Sequence, residues 1–221
     1  MMEFNIKDVG IVIQGPTEHQ EKILENIDPN FSYIWSTWDD EPIDNIKAIG
    51  KKIPILLNEK PSFNGFRNIN MQCVSSLNGI QALKTNWIVK VRSDLLWTNQ
   101  KGVIELAFNK MIKENSYCSY LNYKSSIEEV HDFVTFSNYQ YAVDLWSYRQ
   151  NLITFKSPET QLCYHIMKKY NWSYDEMVKN MSFINVDLVE NELDIYCIKY
   201  KCFMSGNANI VIHGNEAFPK K

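Results

Sequence analysis

Three short segments hold residues able to do chemistry, and each follows an apolar run. Lys90-Val-Arg-Ser-Asp94 sets a cation and an acid, Arg92 and Asp94, two residues apart behind Trp87 to Val91. A carboxylate leaving a buried strand must be solvated, paired or bound to a metal. Bound to Mg²⁺ or Mn²⁺ beside a diphosphate, Asp94 would help neutralise a leaving group. Paired with Arg92, it would form a structural ion pair instead. Gln14-Gly15-Pro16-Thr17 follows Val9 to Ile13 and enters a helical pattern. Free N–H groups at a helix start suit a phosphate; an ordinary turn with a glycine at a special φ is the plainer reading. Neither G-x-G-x-x-G nor a GKS/GKT loop is present, so two standard nucleotide motifs are excluded there. Ser36-Thr37-Trp38-Asp39-Asp40-Glu41 follows Phe31 to Thr37. Its acids suit ribose hydroxyls or a base amine with Trp38 as a wall, or they form a solvated acidic loop. Asp39 and Asp40 lie nearest the strand end.

Five more residues complete the candidate set. Arg67-Asn68-Ile69-Asn70 opens a long helical pattern. Arg67 and Asn70 there suit phosphate or a uracil-like group, or a solvated first turn capped by Asn64 or Ser62. Glu159 follows Ser157-Pro158 in a first helical turn. It reads as a general base for an acceptor hydroxyl, or as an acid that simply favours a helix N-terminus. Asp132 is the rival base, or a loop acid. His213 ends the run Ile210 to His213 and reads as a metal ligand or diphosphate contact, or as a solvent-facing strand end. The five cysteines include no C-x-x-C and have no nearby His or Asn pattern. That argues against structural zinc, disulfides and a thiol nucleophile.

The elements that must position these residues alternate. Strands are expected at Val9 to Ile13, Phe31 to Thr37, Ile53 to Leu57, Trp87 to Val91, Tyr117 to Leu121, Phe133 to Phe136, Ile195 to Lys199 and Ala208 to His213. Helices are expected from Thr17 to Ile27, with Thr17 as cap, and from Arg67 to Lys84. In the second, Ile69, Cys73, Leu77, Ile80 and Leu83 make one apolar stripe. Further helices fall near Lys101 to Lys113, Tyr139 to Tyr148, Pro158 to Tyr170 and Tyr174 to Met181. Repeated strand–helix units predict an α/β fold with a mainly parallel sheet flanked by helices. Such sheets bind ligands at the carboxyl ends of their strands, which selects the loops at Gln14, Trp38 and Arg92.

The chain has 221 residues, 45% hydrophobic and 22% charged, with a net charge of −3. These values exclude intrinsic disorder and disfavour a nucleic-acid partner. They fit a single domain over residues 1–221. The first residues do not read as a signal peptide, and no run approaches the ~20 apolar residues of a membrane span. A cytoplasmic location is expected.

Four motifs in order carry a family resemblance: IVIQGP at 11–16, STWDD at 36–40, RNINMQCVSSLNGIQAL at 67–83 and KVRSDL at 90–95. Together they resemble the WavE family of bacterial lipopolysaccharide-synthesis proteins. The resemblance implies a Rossmann-type core like that of GT-A glycosyltransferases, a nucleotide-sugar donor and often a divalent metal. It puts Asp94 where a DxD motif ends, with Arg92 replacing the first acid and able to supply charge in place of a metal. It offers Glu159 as base and His213 as metal contact. The implied activity is sugar transfer to a glycan or lipid-linked glycan of lipopolysaccharide or capsule, with peripheral contact at the inner membrane face. A non-catalytic nucleotide- or glycan-binding module is the alternative reading. A sugar nucleotidyltransferase is the third, though its usual Gly-rich basic loop is missing.

Overall fold

A computed structural model describes residues 5–97, 99–122, 130, 132–151, 154, 156–185, 195–197 and 202–203. Strand β1 (Val9–Gln14) has all six residues buried. Its β-branched run suits a strand covered on both faces. It pairs in parallel with β2 (Ser32–Trp38) and with β4 (Trp87–Arg92), and β2 pairs in parallel with β3 (Ile55–Asn58). Beyond β4 the sheet continues through β7 (Val134–Asn138) and β6 (Cys118–Asn122), both pairings antiparallel. It ends with β8 (Met181–Asn185), parallel to β6. The seven-stranded order is therefore β3-β2-β1-β4-β7-β6-β8. The chain winds from β1 out to β3, then crosses to the other side of β1 at β4. That reversal makes the carboxyl ends of β1 and β4 a switch point, where open α/β sheets bind ligands.

Alternation along the strands divides the core. On β4, Trp87, Val89 and Val91 face a cluster with Val103, Ile104 and Phe108 of α4 (Gln100–Glu114). Ile88 faces the other cluster, with Ile69, Cys73 and Ile80 of α3 (Ile69–Leu83) and Tyr141 and Trp146 of α5 (Tyr139–Trp146). Lys90 shares the Ile88 face, since side chains repeat every second residue. α3 lies close on the sheet: a β-carbon at Gly79 would meet Val12 Cγ1 at 2.6 Å and Ser36 Cβ at 3.1 Å.

Several elements differ from expectation. The helix expected over Thr17 to Ile27 is only α1 (Gln20–Leu24). Thr17 does not cap it; its hydroxyl donates to Glu41 Oε2 at 2.6 Å, and its N–H donates to the same oxygen at 3.0 Å. α2 (Ile43–Gly50) was not expected; of its residues only Ile49 is buried. β5 (Leu95–Trp97) pairs with β9 (Ile195–Cys197), which pairs with β10 (Cys202–Phe203), in a small antiparallel sheet. α6 (Pro158–Tyr170) starts as expected, Pro158 in its first turn and the Ser157 hydroxyl accepting from Thr160 N–H. α7 (Tyr174–Lys179) precedes β8. The strand expected at Ala208 to His213 lies outside the described residues.

Candidate functional site

Backbone ties join the loops that leave β1, β2 and β4. Ser93 N–H donates to Gln14 O at 2.8 Å, and Gly15 N–H donates to Ser36 O at 3.2 Å. Gly15 has φ 127°, and a β-carbon there would come 2.6 Å from Ser93 Oγ. Only glycine fits this junction. Beside it opens a cleft of about 1050 Å³.

Nine of the candidate residues line that cleft. Gln14, Gly15 and Pro16 come from the β1 loop and Trp38 from the end of β2. Arg92 and Asp94 come from the end of β4. Arg67, Asp132 and Glu159 arrive from three distant segments. Residues that the sequence reading did not single out also contribute, among them Met71, Gln72, Phe133 and Pro158. Met71 and Gln72 lie in the first turn of α3, three and four residues after Asn68, within the motif at 67–83. Gln14 Oε1, Gln72 Oε1 and Asp132 Oδ1 are buried side-chain oxygens without a hydrogen-bond partner. Such groups cost free energy unless a ligand or water meets them.

Arg92 organises the floor. Its Nε donates to Asp94 Oδ1 at 2.9 Å and its Nη2 to Asp94 Oδ2 at 2.5 Å. Its Nη1 donates to Asp132 Oδ2 at 3.3 Å, and the guanidinium lies 4.7 Å from the Phe133 ring centroid. Below, Lys90 is wholly buried; its ammonium donates to the Asp132 carbonyl and sits 4.6 Å from the Trp146 ring centroid. Burial lowers the Lys90 pKa to about 8, an effect that Asp132 opposes. A lysine inside the apolar run Trp87 to Val91 was the visible sign of this role, because lysine is seldom buried unpaired.

The lowered Lys90 pKa has a sign that can be checked. Between about 8 and the ordinary 10.5, the unfolded chain holds a proton at Lys90 that the folded chain has lost. Stability contributed by this site therefore rises with pH across that window. The melting temperature of the wild type relative to Lys90→Met should climb as pH rises through it. A constant difference would remove the buried-ammonium reading.

Four expectations need correction or fall away. Asn70 is not open to a ligand: its Nδ2 donates to Phe63 O and Gln150 O, both at 2.9 Å, and its Oδ1 accepts from Gln150 N–H at 2.6 Å. It is a buried brace, and Asn70→Ala should cost about 3 kcal/mol in a urea melt, because buried backbone groups lose their partner. Asp39 and Asp40 are exposed and do not line the cleft; Asp40 pairs with Lys60 at 2.5 Å. Arg67 does not open a helix. It sits at φ 52° and Asn68 at φ 62°, and α3 begins after them. His213 lies outside the described residues.

The Asp94 carboxylate does not stand open for a divalent ion, since Arg92 donates to both of its oxygens. Among the described residues no three His, Cys, Asp or Glu side chains converge as a metal site. With Arg92 on both oxygens of Asp94, the described residues do not present an open donor set that fits Mg²⁺ or Mn²⁺.

The sequence profile of WavE lipopolysaccharide synthesis matches residues 9–163, which include Asp132, Glu159 and every other candidate of the cleft. The chain belongs to the WavE family. No curated protein matches it. Among solved structures, this WavE chain is similar to glucosyl-3-phosphoglycerate synthase from Mycobacterium tuberculosis, in complex with Mn²⁺, uridine-diphosphate and glucosyl-3-phosphoglycerate. The TM-score is 0.53 at 10% identity, over 84% of this chain and 75% of that one. It is also similar to a cytidylyltransferase from Leptospira borgpetersenii, with TM-score 0.50 at 13% identity, over 80% and 76%. At these identities the likeness shows the fold, a mainly parallel Rossmann-type sheet of the GT-A kind. Among the described residues of this WavE protein, no helix is long and apolar enough to cross a membrane.

Proposed function

We propose that this WavE protein is a glycosyltransferase that moves a sugar from a nucleotide-sugar to a hydroxyl of a surface glycan. One observation carries the reading. Residues from β1, β2, β4, the Arg67 turn, the Asp132 loop and α6 converge on one cleft at the switch point of the sheet. Its volume, about 1050 Å³, lies just above the ~300–1,000 Å³ typical of small-molecule sites. The acceptor is a glycan or lipid-linked glycan of lipopolysaccharide or capsule. The protein acts as one domain on the cytoplasmic side, at the inner face of the membrane.

The chemistry follows from the walls. Transfer breaks the bond between the anomeric carbon and a phosphate oxygen and forms one to the acceptor oxygen. Arg67 and Arg92 face the departing phosphate, where fixed cations stabilise developing charge. Glu159 stays outside the Arg92 cluster and accepts the proton of the acceptor hydroxyl. Asp132 is less suited to that step, because its carboxylate is already held by the Arg92 guanidinium. Gln14 and Gln72 offer their unpartnered oxygens to donor groups of the sugar or base.

Arg67 provides a separate test. An arginine in the left-handed region costs about 1–2 kcal/mol that glycine avoids. Arg67→Gly should therefore raise stability by about 1 kcal/mol while weakening nucleotide binding. A variant both stabler and fully competent in binding would free Arg67 of any role in the cleft.

The experiment for the whole reading is a thermal-shift screen against UDP-, GDP-, CMP- and dTDP-sugars, followed by a turnover assay with whichever donor binds. A ligand at ~100 Kd should stabilise by ~2.7 kcal/mol. Binding followed by release of nucleotide supports the transferase. Binding without turnover on any acceptor or water supports the non-catalytic module, which the ion-paired Asp94 favours.

A further inference from the structure

The four charges on the cleft floor balance among themselves. Lys90 and Arg92 stand on one face of β4, and both hold Asp132: Lys90 by its carbonyl, Arg92 by its carboxylate at 3.3 Å. Arg92 also forks onto Asp94. One ammonium, seated on the Asp132 carbonyl, and one guanidinium thus stand with two carboxylates. Two carboxylates with one divalent cation would give the same sum. The cluster is also largely dry, with the Arg92, Asp94 and Asp132 side chains 18%, 14% and 4% exposed. A divalent ion taking the place of the Arg92 fork on Asp94 would have to displace the guanidinium. Were it to enter beside Arg92, three cationic centres would face two carboxylates in a poorly solvated place.

We propose that this cleft binds its phosphate-bearing ligand without a divalent cation, Lys90 and Arg92 together holding the charge and Arg92 the position that such an ion would take against Asp94 and Asp132. The inference rests on the nucleotide-sugar reading but concerns residues of the floor that are formed before any ligand arrives. Lys90 acts as a positioning residue, since it holds the Asp132 loop from below and is closed off from the cleft. Arg92 is the group that meets the phosphate.

The test needs no acceptor and no turnover. The melting temperature of the EDTA-treated wild type is measured with Mn²⁺ alone, with UDP, GDP, CMP and dTDP in EDTA, and with the same nucleotides plus Mn²⁺. The expected result has three parts. Mn²⁺ alone leaves the wild type unmoved. The nucleotide that binds gives the same shift in EDTA as in Mn²⁺, corresponding to affinities within ~2-fold. Arg92→Met, which vacates the place between the two carboxylates, becomes responsive to Mn²⁺. A wild type stabilised by Mn²⁺ alone, or a nucleotide shift seen only with Mn²⁺, overturns the proposal. These wild-type measurements decide it even where Arg92→Met does not fold. Absence of a shift with every nucleotide in both conditions would sink the nucleotide-sugar reading, and the Mn²⁺-alone measurement would still judge the floor.

Discussion

Glu159→Gln should lower turnover by about 10²–10⁴-fold, the usual contribution of a positioned general base, and leave donor binding close to wild type. Gln keeps the size and polarity of the side chain and removes only its basicity. Glu159 lies in the first turn of α6, behind the Ser157 cap and Pro158, so its place is set by a helix that the substitution does not disturb. Loss of a negative charge at that helix start costs only ~0.3–1 kcal/mol. The melting temperature therefore separates a dead enzyme from an unfolded one. Asp132→Asn is the control. It weakens one bond to Arg92, and it should reduce activity through a disturbed floor with a change in donor affinity. If Glu159→Gln retains full turnover while Asp132→Asn loses it at unchanged donor affinity, the base is Asp132.

Arg92→Met should destabilise the fold by about 3 kcal/mol, toward the lower end of what breaking a buried pair costs, and abolish transfer. The guanidinium joins two carboxylates that are at most 14% exposed. Removing it leaves both carboxylates without their hydrogen-bonded cation in a poorly solvated place, with Lys90 behind them. Arg92→Lys should recover only part of the loss, because a point charge cannot reproduce the fork onto Asp94. Asp94→Asn should be milder in stability, since it removes a charge and leaves the remaining Arg92–Asp132 contact. A urea melt of Arg92→Met, Asp94→Asn and the double variant gives the coupling directly. Strict additivity would mean that the pair contributes nothing to stability.

Much of the fold was legible in the sequence because buried parallel strands have a strong local signal. Val9 to Ile13 and Trp87 to Val91 are short β-branched or aromatic runs bounded by loop residues, and both became central strands. The Ser157-Pro158 start of α6 was equally plain, as capping is a local matter. Elements made by distant contacts were not readable: β5 exists through its pairing with β9, about a hundred residues away in the chain.

The same division holds for the site. Local pattern was enough to place the loops at Gln14, Trp38 and Arg92 after parallel strands, and all three residues line the cleft. Only the tertiary structure decided what each side chain does there. Asn70, Arg67 and Asn68 looked alike as a polar helix start. Contact with Gln150 makes Asn70 a brace, while positive φ keeps Arg67 and Asn68 out of the helix. The Arg92–Asp94 pair was one of two readings of Asp94, the other a metal ligand, but Asp132 read as a separate base, because nothing in a linear sequence reports that one guanidinium spans both acids. Hydrophobic periodicity is written in neighbouring residues; the balance of charge on the cleft floor is set by distances between residues 40 apart, which only folding fixes.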